Sequence, residues 1–164
     1  MKILIVGEFV YEMYENALFN AFKKLGEEVS SFELNKYSGS NAFSKFVNKL
    51  QNRLLVGPKI SRLNNDLVEQ VRVQKPELIF LYRTPQIYAN TVIEIKKFGT
   101  KVFSYNNDNP FSGIPTLKYW RHYLKAAGFC DHNFVYRERN VSDFKKVGIE
   151  NVSVLKSYYT RWRN

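Results

Sequence analysis

The residues best suited to chemistry are bunched in one segment, Tyr105-Asn106-Asn107-Asp108-Asn109-Pro110-Phe111. Small polar side chains are costly to bury unpaired, so this run either lines an open cleft or knits a turn together. The apolar run before it and the proline after it favour the cleft. Asp108 is the one carboxylate of the segment, and so its candidate general base or hydroxyl-orienting group. Arg83, in Tyr82-Arg83-Thr84, can neutralise Asp108 or grip an anionic ligand through a bidentate contact. Glu8, in Gly7-Glu8-Phe9-Val10, is a second candidate. Facing a cleft it orients a hydroxyl or takes its proton; at a helix start it caps instead.

These residues fall where strands should end. Lys2-Ile3-Leu4-Ile5-Val6 reads as a strand stopped by Gly7, and Tyr14, Leu18, Phe22 and Leu25 recur at helical spacing within Tyr11 to Leu25. Glu28 to Leu34 is a second strand, followed by a polar loop over Tyr37 to Asn41. Two helical stripes come next. One is Phe43, Phe46, Val47, Leu50 and Leu54; the other, past Gly57-Pro58, is Ile60, Leu63, Leu67 and Val71. Glu77 to Tyr82 is the continuous apolar run of a parallel strand covered on both faces, and Pro85 starts a helix that ends near Gly99. A strand over Lys101 to Tyr105, a helix over Leu117 to Ala127 and a strand over Asp131 to Tyr136 follow. A helix over Asn140 to Val147 and a strand over Asn151 to Leu155 complete the series.

This alternation predicts an α/β domain with a doubly wound, mainly parallel sheet of about six strands and helices on both faces. Such sheets bind ligands beyond the carboxyl ends of their strands. That rule singles out Gly7-Glu8, Arg83-Thr84, Asn106 to Asn109, Arg137-Glu138 and Ser157-Tyr158-Tyr159. Their polar and aromatic groups suit hydrogen bonding and stacking on a sugar-like ligand, while turn formation or capping accounts for any one of them equally well. Trp120, beside Tyr119, and His122 lie on the helix after the Asn-rich loop. They either approach the cleft or pack in the core.

Composition narrows the alternatives. Residues 1–164 are 45% hydrophobic, enough for one core, and no linker or repeat divides them. The formal charge is +10, which suits nucleic acid, an anionic membrane or a phosphorylated ligand. The basic residues are spread, as in Lys23-Lys24, Lys96-Lys97 and Lys145-Lys146, near predicted helix ends where they complement the dipole. No helix-turn-helix, zinc or RNP pattern accompanies them, so no nucleic-acid partner is expected. Gly7 lacks the further glycines of a dinucleotide loop, and no Gly-Lys-Ser/Thr loop exists, which excludes NAD, FAD and ATPase readings. The first strand is not followed by an acidic pair, which disfavours a response regulator. Cys130 is the only cysteine and reads as a buried thiol; the two histidines lack partners at metal-ligand spacing, so no metal is expected. The longest apolar runs are strand-sized, and Met1-Lys2 leads straight into a strand, so the expected location is cytoplasmic. Over 41–54, Lys45, Lys49 and Arg53 flank the stripe of Phe43, Phe46, Val47 and Leu50. Such a helix lies peripherally on the inner face of a membrane, or packs on the sheet with its solvated face basic.

Four segments carry a family resemblance: Lys2-Ile3-Leu4-Ile5-Val6-Gly7, Lys75 to Arg83, Tyr105 to Phe111 and Asp131 to Arg137. Over nearly its whole length the chain resembles the amino-terminal lobe of CgeB-like (spore-maturation type) GT-B glycosyltransferases. The Asn-Asn-Asp-x-Pro loop is the most specific part, and Asn109 stands where that family often has a second acidic residue. The resemblance implies a Rossmann-like lobe that holds a glycan or lipid-linked acceptor, as in cell-surface glycan synthesis. It implies Asp108 first and Glu8 second as the base, with Arg83, Thr84, Asn106, Asn107, Asn109, Trp120, His122 and Arg137 as acceptor contacts. No cofactor is implied for this chain. The nucleotide sugar is a co-substrate bound by a donor-binding second lobe, and no motif for that lobe follows Leu155. The chain alone is then expected to be inactive or weakly active without a companion lobe or subunit. An exposed docking face would also favour a homo-oligomer. A non-catalytic binding or assembly module of the same fold is the alternative expectation.

Overall fold

Continuous apolar runs build the centre of the fold. Strand β1 (Lys2–Gly7) is buried from Ile3 onward, and β3 (Leu78–Tyr82) is buried at every residue, as strands covered on both faces must be. The computed structural model describes residues 1–37 and 54–156. Around these two strands run α1 (Glu15–Lys24), β2 (Glu28–Glu33), a 3-10 turn at Leu34–Tyr37, α2 (Pro58–Gln74) and α3 (Ala89–Lys96). Strand β4 (Lys101–Asn106), α4 (Ile114–Ala127), β5 (His132–Val135), α5 (Glu138–Lys146) and β6 (Val152–Val154) complete the order. The six strands form one sheet in the order β2-β1-β3-β4-β5-β6, parallel throughout. The expected Rossmann-like α/β architecture is therefore what the chain adopts.

Strand order decides where the helices go. From β1 the chain moves outward to β2, then returns past β1 and proceeds through β3 to β6 in the opposite direction. Right-handed crossovers send helices to opposite faces when the direction reverses. Accordingly Leu18, Phe19 and Phe22 of α1 pack on Ile3, Ile5, Phe80 and Tyr82. On the other face, Leu63, Leu67 and Val71 of α2 and Val92 and Ile95 of α3 pack on Leu4, Val6, Ile79 and Leu81. Trp120 and Tyr123 of α4 join Phe144 of α5 and Val135 in a third cluster. Beyond α1, half-buried Phe103, His132 and Phe134 interlock, with ring centroids 6.0 Å apart for Phe103–Phe134 and 4.7 Å for His132–Phe134.

Helix starts depart from the sequence reading. Helix α1 begins at Glu15 rather than Tyr11, because Tyr11 to Tyr14 form a turn held by Asn16, whose Nδ2 donates to the carbonyls of Phe9 and Tyr11. The helix expected from Pro85 begins at Ala89. Its start is set by Asn64 of α2: Asn64 Oδ1 accepts from the Tyr88 amide (2.9 Å) and the Thr91 hydroxyl (2.7 Å), while Asn64 Nδ2 donates to Gln86 O (2.9 Å). Helix α4 starts early, at Ile114, with Pro115 in its first turn, where a proline costs no hydrogen bond. The expected loop after β2 opens with the 3-10 turn that buries Leu34 and lets Tyr37 donate to Asp66 (2.8 Å). Cys130 is buried, and burial pushes its thiol up to about 12, which leaves it inert. The stripe of Phe43 to Leu50, with Lys45, Lys49 and Arg53, and the loop at Ser157-Tyr158-Tyr159 lie outside the described residues. Among the described residues no helix is long and apolar enough to cross a membrane.

Asn64 is 3% exposed and satisfies groups on two elements. Asn64→Ala should therefore lower unfolding free energy by about 2–4 kcal/mol, read by urea denaturation. A loss below about 1 kcal/mol would mean that the start of α3 does not depend on this cap.

Candidate functional site

The crevice opens between the loops after β1 and β3, where the strand order reverses and the two chains leave in different directions. Both loops are held in left-handed conformations by residues other than glycine: Phe9 has φ +53° and Arg83 has φ +49°. Such conformations cost roughly 1–3 kcal/mol each and persist where surroundings over-determine them. At Arg83 the backbone amide donates to Tyr105 O (2.8 Å), extending the ladder one residue beyond β3 before the chain turns. At the end of β1, a Cβ on Gly7 would lie 2.4 Å from Glu15 Cγ. Glycine is needed there so that the Glu15 side chain can lie against the strand end. Glu15 Oε1 then accepts the Glu8 amide (3.1 Å).

The Asn-rich loop divides its labour. Asn106, fully buried, accepts the Asp108 amide on Oδ1 (2.9 Å), and Asn109 Oδ1 accepts the Phe111 amide (3.0 Å). These two asparagines knit successive side-chain turns, and Asn140 of α5 braces the second by donating to Asn109 Oδ1 (2.8 Å). Beneath the loop, Ser104 donates to Asn133 Oδ1 (2.6 Å), and Asn133 donates to Ala127 O (2.9 Å). The Tyr123 hydroxyl is 3.4 Å from that of Ser104, and burial raises its pKa. Arg137 clasps the far side of the loop through Asn107 O (2.6 Å). Asn107 and Asp108 are thereby presented to the crevice.

Arg83 and Asp108 meet there: Nε donates to Oδ2 at 2.6 Å, with each side chain about two-fifths exposed. The guanidinium lies 5.8 Å from the centre of the Trp120 ring. Burial works against its charge, and the Asp108 carboxylate overrides that, so its pKa is raised. The cavity beside this pair measures about 380 Å³. Its charged lining is Glu8, Glu15 and Asp108 against Arg83, and its aromatic lining is Tyr11, Tyr14 and Tyr82. In a chain of net charge +10, the crevice carries more negative than positive groups. Glu15 is 5% exposed, and burial lifts its carboxyl above the ordinary value, helped by the neighbouring Glu8 charge and opposed by Arg83. Among the described residues the Glu8 carboxylate has no hydrogen-bond or ion-pair partner. A larger cavity, about 650 Å³, lies between β2 and α2 and holds none of the residues singled out from the sequence.

Glu8, Arg83, Asn107 and Asp108 are thus brought together, and the other candidates stand around them. Asn106 and Asn109 hold the loop, and Arg137 is its clasp. Trp120, 3% exposed, packs with Tyr123 and Phe144 and meets the site only beneath Arg83. Thr84 is 1% exposed, its hydroxyl buried without a partner among the described residues. His122 sits against Tyr88, ring centroids 4.7 Å apart, and burial lowers its pKa. Sequence reasoning missed Tyr11, Tyr14, Glu15 and Tyr82. For Glu15 the available signal was an acidic residue near the start of the first helical stripe, eight residues after a strand-ending glycine. Among the described residues no group of histidine, cysteine and carboxylate side chains could hold a metal ion. The sequence matches no protein-family model and no curated protein.

Two outcomes follow from the Gly7–Glu15 packing. Gly7→Ala should cost about 1–3 kcal/mol, and adding Glu15→Ala should recover part of that loss; strictly additive losses in urea unfolding would contradict the contact. Glu15, with its folded pKa above the ordinary value of 4.5, favours the folded state fully below pH 4.5, and that contribution disappears as pH rises through the folded value. Glu15→Gln should therefore be more stable than the parent at pH 7, with the difference shrinking toward pH 4. A difference independent of pH would show that Glu15 does not titrate differently on folding.

Proposed function

We propose that this chain is the acceptor-binding half of a GT-B glycosyltransferase, one that transfers a sugar from a nucleotide sugar to a glycan or lipid-linked acceptor. The observation that carries the proposal is the carboxylate-rich crevice at the sheet's switch point. A phosphate-bearing donor needs backbone amides and cations, and Glu8, Glu15 and Asp108 make this crevice a poor place for one. A hydroxyl-bearing acceptor needs hydrogen-bond acceptors and a base, which the same residues offer. Geometry reorders the two candidate bases. Asp108 Oδ2 is engaged by Arg83, whereas the Glu8 carboxylate has no partner among the described residues, so Glu8 is the stronger candidate to take the acceptor proton and Asp108 to orient the hydroxyl. The nucleotide sugar would be a co-substrate held by a companion donor-binding lobe or subunit, and transfer by this chain alone would be slight or absent.

The favoured location is cytoplasmic, with the basic stripe of 41–54 offering peripheral contact with an anionic membrane. A non-catalytic binding module of the same fold is the second reading; it is favoured by the engagement of Asp108 with Arg83, which among the described residues leaves Glu8 rather than both carboxylates without a partner. The test is calorimetric titration with UDP-glucose, followed by transfer assays with a supplied donor-binding lobe. The proposal expects no donor binding by this chain, transfer only when both lobes are present, and at least a hundredfold fall in that transfer in Glu8→Gln, roughly the contribution of a general base. Tight binding of UDP-glucose by this chain alone would overturn the acceptor assignment, and no transfer with the lobe supplied would favour the binding module.

A further inference from the structure

Several hydrogen-bond acceptors of the crevice are uncommitted among the described residues. The Glu8 carboxylate has no partner among the described residues, and Asp108 keeps Oδ1 outside its bond to Arg83. Asn107 Oδ1, in the same lining, is buried and among the described residues accepts no hydrogen bond. All three are acceptors. Aromatic rings complete the lining: Tyr11 and Tyr14 meet edge to face with centroids 5.9 Å apart, and Tyr14 lies 6.1 Å from Tyr82. Tyr11 is 62% exposed, so its ring is open to a ligand. The cation present, Arg83, is drawn aside by Asp108 and sits over Trp120. A cavity of about 380 Å³ has room for a single sugar ring.

Unfilled acceptors, excess negative charge and tyrosine faces together match a ligand that is both hydroxylated and positively charged. Neutral hydroxyls both donate and accept, so they would use these acceptors without needing the charge. A phosphate would face the carboxylates. An ammonium group donates only, is attracted by carboxylate, and is stabilised over an aromatic face.

We infer that the crevice selects an amine-bearing sugar, with its ammonium group between the Glu8 carboxylate and the tyrosine rings and its hydroxyls on Asp108 and Asn107. This inference rests on the reading of the crevice as an acceptor site, and it names the class of acceptor.

The test is NMR titration of the ¹⁵N-labelled chain at pH 7 with D-glucosamine, N-acetyl-D-glucosamine, D-glucose and glucose 6-phosphate. Glucosamine should bind about tenfold more tightly than glucose or its own N-acetyl derivative, with the largest shifts at the amides of Glu8, Arg83 and Asn107. Glu8→Gln, checked by circular dichroism and melting to be folded, should bring glucosamine down to the affinity of glucose while glucose binding persists. Equal binding of glucose and glucosamine would overturn the inference and leave the acceptor reading standing. So would a preference for glucosamine that survives Glu8→Gln, or tighter binding of glucose 6-phosphate. Absence of shifts with every sugar would overturn both.

Discussion

The reversal of strand order at β1 is the constraint from which the rest of the molecule follows. Because β1 lies between β2 and β3, the loop after β1 and the loop after β3 must leave toward opposite faces. Neither loop can fill the gap between them. The crevice is therefore a consequence of topology, present before any side chain is chosen. What the sequence adds is how the gap is lined. Phe9 and Arg83 take left-handed turns on its two sides, Gly7 clears the end of β1 for Glu15, and the loop after β4 leans in from the next strand. The cost of two strained backbone turns is met by the buried strands on either side, Ile3 to Val6 and Leu78 to Tyr82.

Charge is distributed in a way that keeps this crevice distinct from the rest of the surface. Lysines end α1, as Lys23 and Lys24, and α5, as Lys145 and Lys146, where they complement helix dipoles. Many of the surface charges pair locally, as in Arg72 with Glu69 and Lys97 with Glu94, contacts that contribute little individually. At physiological salt, fields from exposed charges fade over about 8 Å, so a chain of high net positive charge can keep a locally negative site. The net charge of +10 therefore says little about the ligand; the lining of the crevice says more.

The central strands were legible because burial on both faces leaves an apolar run, as in Leu78–Tyr82, and the alternation of strands with helical stripes pointed to the parallel topology. Helix starts were not. Nothing near Ala89 in the sequence announces that its cap comes from Asn64, on another helix, because a tertiary cap has no local signature. The Asn-rich loop was legible as a unit but not in its parts. A run of similar side chains cannot reveal that Asn106 and Asn109 turn the backbone while Asn107 and Asp108 face outward, since that division depends on where β4 stops pairing with β5. Glu15 was hidden for a related reason. Its burial depends on the absent side chain of Gly7, across a loop whose left-handed turn at Phe9 brings the two together.

The three carboxylates of the crevice differ in how far each is already committed, and this grading sets what the site can do. Asp108 is tied to Arg83 through a charge-assisted bond. Its charge is balanced, so its remaining role is to accept a hydrogen bond in a fixed direction. Glu15 is committed to the Glu8 amide and is buried, which makes its charged form costly. The neighbouring Glu8 carboxylate, the more exposed of the two, adds to that cost. Glu15 thus holds the backbone of Glu8 in place. At the mouth of a topologically imposed crevice, what remains among the described residues is one positioned carboxylate without a partner, that of Glu8.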